Sequence, residues 1–157
     1  MSLEHLNILL ADDDIDDCLF FKEALENSLL STSLEVVHDG EQLMQLLTNE
    51  ATILPHVLFL DLNMPRKNGF ECLSEIKLNT KLKQLPVIMF STSFEQGVVD
   101  QLYQHGAHYF IRKPSEFKQF KEIIRQTIAL IAQKLPADNP GNIAQPTKEN
   151  FVVILEK

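Results

Sequence analysis

Five short apolar runs, at 6–11, 34–38, 57–62, 87–91 and 109–112, recur along the chain, and each is followed by a segment of helical periodicity. Short runs with little polar alternation suit strands buried on both faces. The segments between them stack apolar side chains three and four positions apart. Ile15, Cys18, Leu19, Leu25 and Leu29 do so over 15–29, and Leu43, Leu46 and Leu47 over 41–47. Phe70, Leu73, Ile76 and Lys77 follow over 69–78, and Phe117, Phe120, Ile124, Ile128 and Ile131 over 116–133, where Ser115 is the candidate N-cap. Segment 96–105 is weakly apolar, which predicts the least anchored helix. The alternation predicts an α/β fold, a doubly wound five-stranded parallel sheet with helices on both faces and right-handed crossovers. In such sheets ligands sit beyond the carboxyl ends of the strands. Functional residues should therefore follow strands.

They do. Asp12 and Asp13 follow the first run, Asp61 ends the third, Ser91 ends the fourth, and Lys113-Pro114 follows the fifth. Convergent strand ends bring three carboxylates, a hydroxyl and an ammonium to one pocket. Like charges this close repel, and a divalent cation would offset that repulsion. Hard oxygen donors with few nitrogens or sulfurs suit Mg²⁺. An aspartate carboxylate beside Mg²⁺ can accept a phosphoryl group. Lys113 would neutralise phosphoryl oxygens and Ser91 would donate a hydrogen bond, which is most of what phosphoryl transfer requires. The neighbouring acids have a plainer reading: Asp14 caps the first helix, and Asp16 and Asp17 suit its positive end.

The acidic pair, "LDLNMPRKNG" around the third strand, the serine after the fourth and "KP" after the fifth together resemble the receiver domain of two-component response regulators, over roughly 6–134. The resemblance implies a CheY-like, flavodoxin-type strand order of 2-1-3-4-5. It implies Asp61 as phosphoacceptor, with Asp12, Asp13, Asp61 and the backbone carbonyl of Asn63 around Mg²⁺. It also implies Ser91 and Phe110 as the switch pair, Lys113 as the lysine of the site, and a cis bond between Lys113 and Pro114. Three positions depart from the commonest pattern. The acidic pair is Asp-Asp rather than Glu-Asp, Ser91 stands for Thr, and Phe110 stands for Tyr, so its ring must switch by packing alone. Tyr109 is expected to face the other way.

The expected partners are a sensor histidine kinase or phosphotransfer protein as phosphohistidine donor and a downstream protein as reader. An alternative is a relay that passes the phosphoryl group on to a second histidine. The protein would catalyse its own phosphorylation and dephosphorylation and would not be an enzyme in the usual sense. A phosphatase of the haloacid dehalogenase type also uses a strand-end aspartate, but it needs an acid two residues later, where Asn63 stands. A net charge of −8 argues against nucleic acid and anionic membrane surfaces as partners. No run approaches the roughly 20 apolar residues of a membrane helix. "MSLEHLN" lacks the features of a secretory signal. Cys18 and Cys72 have no metal-ligand spacing and read as buried free thiols. A cytoplasmic location follows as the expectation.

The expected division is a receiver domain over 1–134, followed at 135–157 by a proline-rich linker and a short apolar tail. That remainder is too short for a DNA-binding module. Its "FVVIL" is β-prone and would be an aggregation hazard if exposed. It is expected to dock on its own domain or on another chain, with a homodimer as one outcome. The scattered histidines, including His105 and His108, carry no metal-site pattern.

Overall fold

The apolar runs become a single parallel sheet in the computed structural model of the protein, which describes residues 5–135 and 143–156. In chain order the elements are β1 (His5–Ala11), α1 (Ile15–Glu26), β2 (Ser31–Val37), α2 (Gly40–Thr48), β3 (Val57–Asp61), α3 (Gly69–Leu78), β4 (Val87–Ser91), α4 (Gln96–Gln104), β5 (Tyr109–Arg112) and α5 (Phe117–Lys134). A 3₁₀ turn follows at Lys148–Asn150. The sheet order is β2-β1-β3-β4-β5 with every pair parallel.

Strand alternation divides the interior in two. Ile8, Leu10, Phe59, Phe90 and Ile111 face α1 and α5. Leu9, Leu58, Leu60, Met89 and Phe110 face α2, α3 and α4. Tyr109 lies on the first of these faces and Phe110 on the second, as the period of two requires. On the α1/α5 side, Phe21, Phe59, Phe90 and Phe120 form a run of edge-to-face rings with centroids 4.9–6.4 Å apart. Each such ring contributes about 2–3 kcal/mol through burial.

Several expectations shift. β2 begins three residues earlier than its apolar run. Its polar start is tolerated because β2 is an edge strand, and His5 bridges the hydroxyls of Ser31 and Ser33 at 2.6 and 2.8 Å. α1 buries Phe21, Ala24 and Leu25, whereas Ile15 and Leu19 are 60% and 52% exposed. The sequence offers α1 two overlapping apolar stripes, and packing against α5 selects the later one. Leu29 lies beyond the helix, which ends at Glu26 with Asn27 as its cap. Ser115 does not cap α5; the cap position is Glu116, with no side-chain bond. α4 buries only Val99 and Leu102 and has no side-chain cap.

Segment 143–156 docks on the outer edge of β5. Phe110 N–H donates to Phe151 O at 3.0 Å, and Val153 N–H donates to Phe110 O at 2.9 Å, a parallel bridge centred on Val152. Phe151 and Val153 are buried. Residues 136–142 of the expected linker lie outside the described residues. Among the described residues, no helix is long and apolar enough to cross a membrane.

Candidate functional site

Each carboxylate of the site is placed by a strand that ends at the same margin of the sheet. Asp12 follows β1, anchored by its N–H to Val37 O at 3.0 Å. Its side chain is fully buried and accepts from the N–H of Asp14 at 2.9 Å. Asp14 then caps α1, its carboxylate accepting from Asp17 N–H at 3.1 Å. Asp61 ends β3, buried, and accepts from the N–H of Asn63 at 3.2 Å. Asp13 is exposed. Carboxylate oxygens of Asp12, Asp13 and Asp61 all lie within 4.8 Å of one another.

Lys113 enters from the end of β5, held by its N–H to Ser91 O at 2.7 Å. Its buried ammonium lies 2.8 Å from Asp12 Oδ2, 2.9 Å from Asp17 Oδ2 and 3.6 Å from Asp61 Oδ2. It also sits 5.0 Å from the centre of the Phe90 ring. Burial alone would pull this lysine's pKa down. Asp12, Asp61 and Asp17 outweigh that and hold it above its ordinary value. Lys113 is therefore a fixed cation.

The opposite problem falls on Asp61. Burial pushes its carboxyl up to about 7, Asp12 adds to the rise, and Lys113 works against both. At an effective dielectric constant near 20, two like charges 4 Å apart repel by about 4 kcal/mol. One ammonium cannot offset Asp12, Asp13, Asp17 and Asp61 together. The cluster needs either a proton on Asp61 or a further cation. An all-oxygen donor set with a half-open side fits a small hard divalent ion.

Asp17 belongs to this constellation, and sequence reasoning assigned it to the helix alone. From the first turn of α1 its carboxylate reaches Lys113 at 2.9 Å, and burial raises its pKa on balance although Lys113 works against the rise. The Lys113–Pro114 bond is trans; there is no cis peptide among the described residues. Trans is favoured by about 0.5–1 kcal/mol before proline, and with it the lysine backbone already reaches Ser91 and its ammonium Asp12.

Ser91 is fully buried, and its hydroxyl lies 3.3 Å from Ser93 Oγ and accepts from Ser93 N–H at 3.3 Å. Beyond it, a cavity of about 190 Å³ is lined by Asn63, Ser93, Val98 and Phe110. The loop after β3 is fixed from below. Asn68 and Glu71 form a reciprocal capping box at the start of α3. Gly69 sits so close to β3 that a Cβ would lie 2.3 Å from Asp61 O. The requirement for glycine there is close backbone approach. Arg66, with φ 69°, turns this loop toward Asp39 and Glu41.

Of the two free thiols expected to be buried, Cys72 is buried and Cys18 only half-buried. Burial pushes both Cys18 and Cys72 up to about 12. His108 is buried, accepts from Val87 N–H at Nδ1 (3.2 Å) and donates from Nε2 to Ile143 O (3.1 Å), an arrangement for holding backbone.

Comparison with known proteins points the same way. The response regulator receiver domain family matches residues 8–125. Response regulator Rcp1 of Synechocystis is 31% identical over 122 residues, covering 75% of this chain and 83% of that protein. The structure of the Mn²⁺-bound form of Rcp1 superposes with a TM-score of 0.78 at 28% identity, over 83% of this chain and 97% of that one. The phosphorylated cyanobacterial phytochrome response regulator RcpA gives 0.77 at 31% identity, over 84% and 96%. The bacteriophytochrome response regulator RtBRR gives 0.64 at 37% identity, over 73% of each chain. By fold and by sequence, the chain belongs to the response regulator receiver domain family of two-component signalling.

Proposed function

We propose that this receiver takes a phosphoryl group onto Asp61 from a phosphohistidine and uses it to change a protein-binding surface. The observation that carries the reading is the meeting of Asp12, Asp13 and Asp61 within 4.8 Å, with the Lys113 ammonium buried against two of them. A carboxylate oxygen of Asp61 attacks phosphorus, the P–N bond to the donor imidazole breaks, and the imidazole leaves with the electron pair. The product is an acyl phosphate on Asp61. Asp12, Asp13, Asp61 and the Asn63 carbonyl would hold Mg²⁺, which, when bound, neutralises phosphoryl oxygens and lets Asp61 react unprotonated. Lys113 faces another phosphoryl oxygen, and Ser91 leaves Ser93 to donate its hydroxyl to a third.

The added charge, about −1.5 to −2 near neutral pH, draws Ser91 inward, and Phe110 follows into the space it vacates. α4, β5 and α5, with segment 143–156 seated across them, repack for a downstream partner, so a local charge biases a two-state element. The donor is a sensor kinase or phosphotransfer protein in the cytoplasm. The likeness to RcpA and RtBRR makes a phytochrome-type kinase the first donor to try. The acidic surface does not suit DNA. The receiver has no other substrate to turn over, only its own aspartyl phosphate.

Intact-protein mass after incubation with Mg²⁺ and acetyl phosphate tests this directly. One phosphoryl group should be gained, and the gain should vanish in Asp61→Asn and in chelator. Labelling that survives in Asp61→Asn would overturn the assignment.

A further inference from the structure

Segment 143–156 crosses the whole face formed by α4, β5 and α5. On the α4 side, Tyr103 Oη donates to Pro146 O at 2.8 Å, and Gln145 Nε2 donates to Tyr103 O and Ala107 O at 2.7 and 2.9 Å. The Phe151 ring packs edge-to-face on Tyr103 at 5.1 Å. On the α5 side, Gln126 donates to Ile154 O at 2.7 Å and accepts from Glu156 N–H at 2.9 Å. Between these anchors, the segment pairs with both backbone groups of one residue, Phe110.

Phe110 is thus held from outside and open only on its inner side. Its N–H and C=O are committed to Phe151 and Val153, and its ring is 1% exposed. The free volume beside the ring is the cavity it shares with Asn63 and Ser93. Ser93 in turn holds the Ser91 hydroxyl.

We propose that segment 143–156 is a built-in clamp that keeps Phe110 turned toward the phosphoacceptor pocket, so that clamp docking and phosphoryl occupancy at Asp61 favour each other. This rests on the reading of Asp61 as phosphoacceptor. The docked clamp seats Phe151 and Val152 against the core cluster that holds the Phe110 ring, on the outer side of β5, which favours the inward position. Linkage requires the effect to be reciprocal: occupancy of Asp61 tightens the clamp by the same factor by which the clamp tightens occupancy.

The test compares the full chain with Val153→Pro, which deletes the N–H that donates to Phe110 O. Beryllofluoride with Mg²⁺ serves as phosphoryl mimic, its binding followed by fluorine NMR and amide exchange by proton NMR. Val153→Pro should weaken beryllofluoride binding about five-fold or more, and beryllofluoride should slow exchange of the Val153 amide in the unsubstituted chain. Should Val153→Pro fail to fold, Tyr103→Phe and Gln126→Ala, each removing a side-chain hydrogen bond from one end of the clamp, must weaken binding in the same direction. Equal affinity in clamped and loosened chains overturns the clamp and leaves the Asp61 reading standing. No adduct on any of the chains overturns the Asp61 reading and the coupling with it.

Discussion

Lys113 Nζ lies 2.8 Å from Asp12 Oδ2, a buried contact between residues 101 positions apart. It ties the end of the edge strand β5 to the end of β1, across β3 and β4, and the same ammonium reaches Asp17 and Asp61. Removing that cation strands two buried carboxylates, Asp12 and Asp61, and the half-buried Asp17. Lys113→Met should cost about 3 kcal/mol in chelator, a drop of about 6–12 °C in thermal midpoint. Saturating Mg²⁺ should restore part of it. A midpoint that does not move would mean the ion pair contributes nothing net.

Asp61→Asn should act in the opposite direction. Folding raises the Asp61 carboxyl from 3.8 to about 7. The unfolded chain therefore releases this proton first, and stability falls as pH rises from about 4 to about 7. Asparagine carries no such cost. Without divalent ions above pH 7, Asp61→Asn should be more stable by about 1–2 kcal/mol, and its melting profile against pH should be flatter across that window. A less stable variant would refute the electrostatic account.

Gly69→Ala tests the support beneath the site. The new methyl would meet Asp61 O at 2.3 Å and Leu62 Cα at 2.8 Å, backbone that cannot rotate aside. We expect a loss of about 2–3 kcal/mol in denaturant titration, with chemical-shift changes at Asp61 and Asn63. Wild-type stability would show that the α3 start can slide.

His108 sets an acid limit on the fold. Burial, with Lys77 adding to it, lowers its pKa from 6.5 to about 4. Below pH 6.5 the unfolded chain takes up a proton that the folded chain refuses, so stability is lost as pH falls toward 4. The loss reaches up to about 3 kcal/mol. His108→Gln should flatten the dependence of the thermal midpoint on pH in this window. An unchanged slope would assign acid sensitivity to other groups.

The strands β3, β4 and β5 could be read from their residues because each is covered on both faces, β5 at the edge included, and leaves a continuous apolar signature. β2 was partly hidden, since Ser31, Thr32 and Ser33 earn their place through pairing with β1 and not through burial. The α1 face was misread because Ile15, Cys18 and Leu19 make as good a stripe as Phe21, Ala24 and Leu25; only the position of α5 decides between them. Asp12, Asp13, Asp61, Ser91 and Lys113 were legible because a parallel sheet gathers whatever follows its strands. Asp17 was not, because a first-turn carboxylate has a sufficient local explanation, and its bond to Lys113 joins residues 96 positions apart. The trans Lys113–Pro114 bond lay beyond the sequence for a similar reason: the isomers differ by little, and the surroundings choose.

Among the described residues the two margins of the sheet are unequal. Phe151 and Val153 occupy the hydrogen-bonding groups of Phe110 on the β5 side, while β2 pairs only with β1. A sheet with two open margins can be extended from both ends and so can propagate into a filament. With Phe110 already paired on one margin, β2 is the margin of the sheet with room for an added strand, and an addition there meets no matching free margin at the other end.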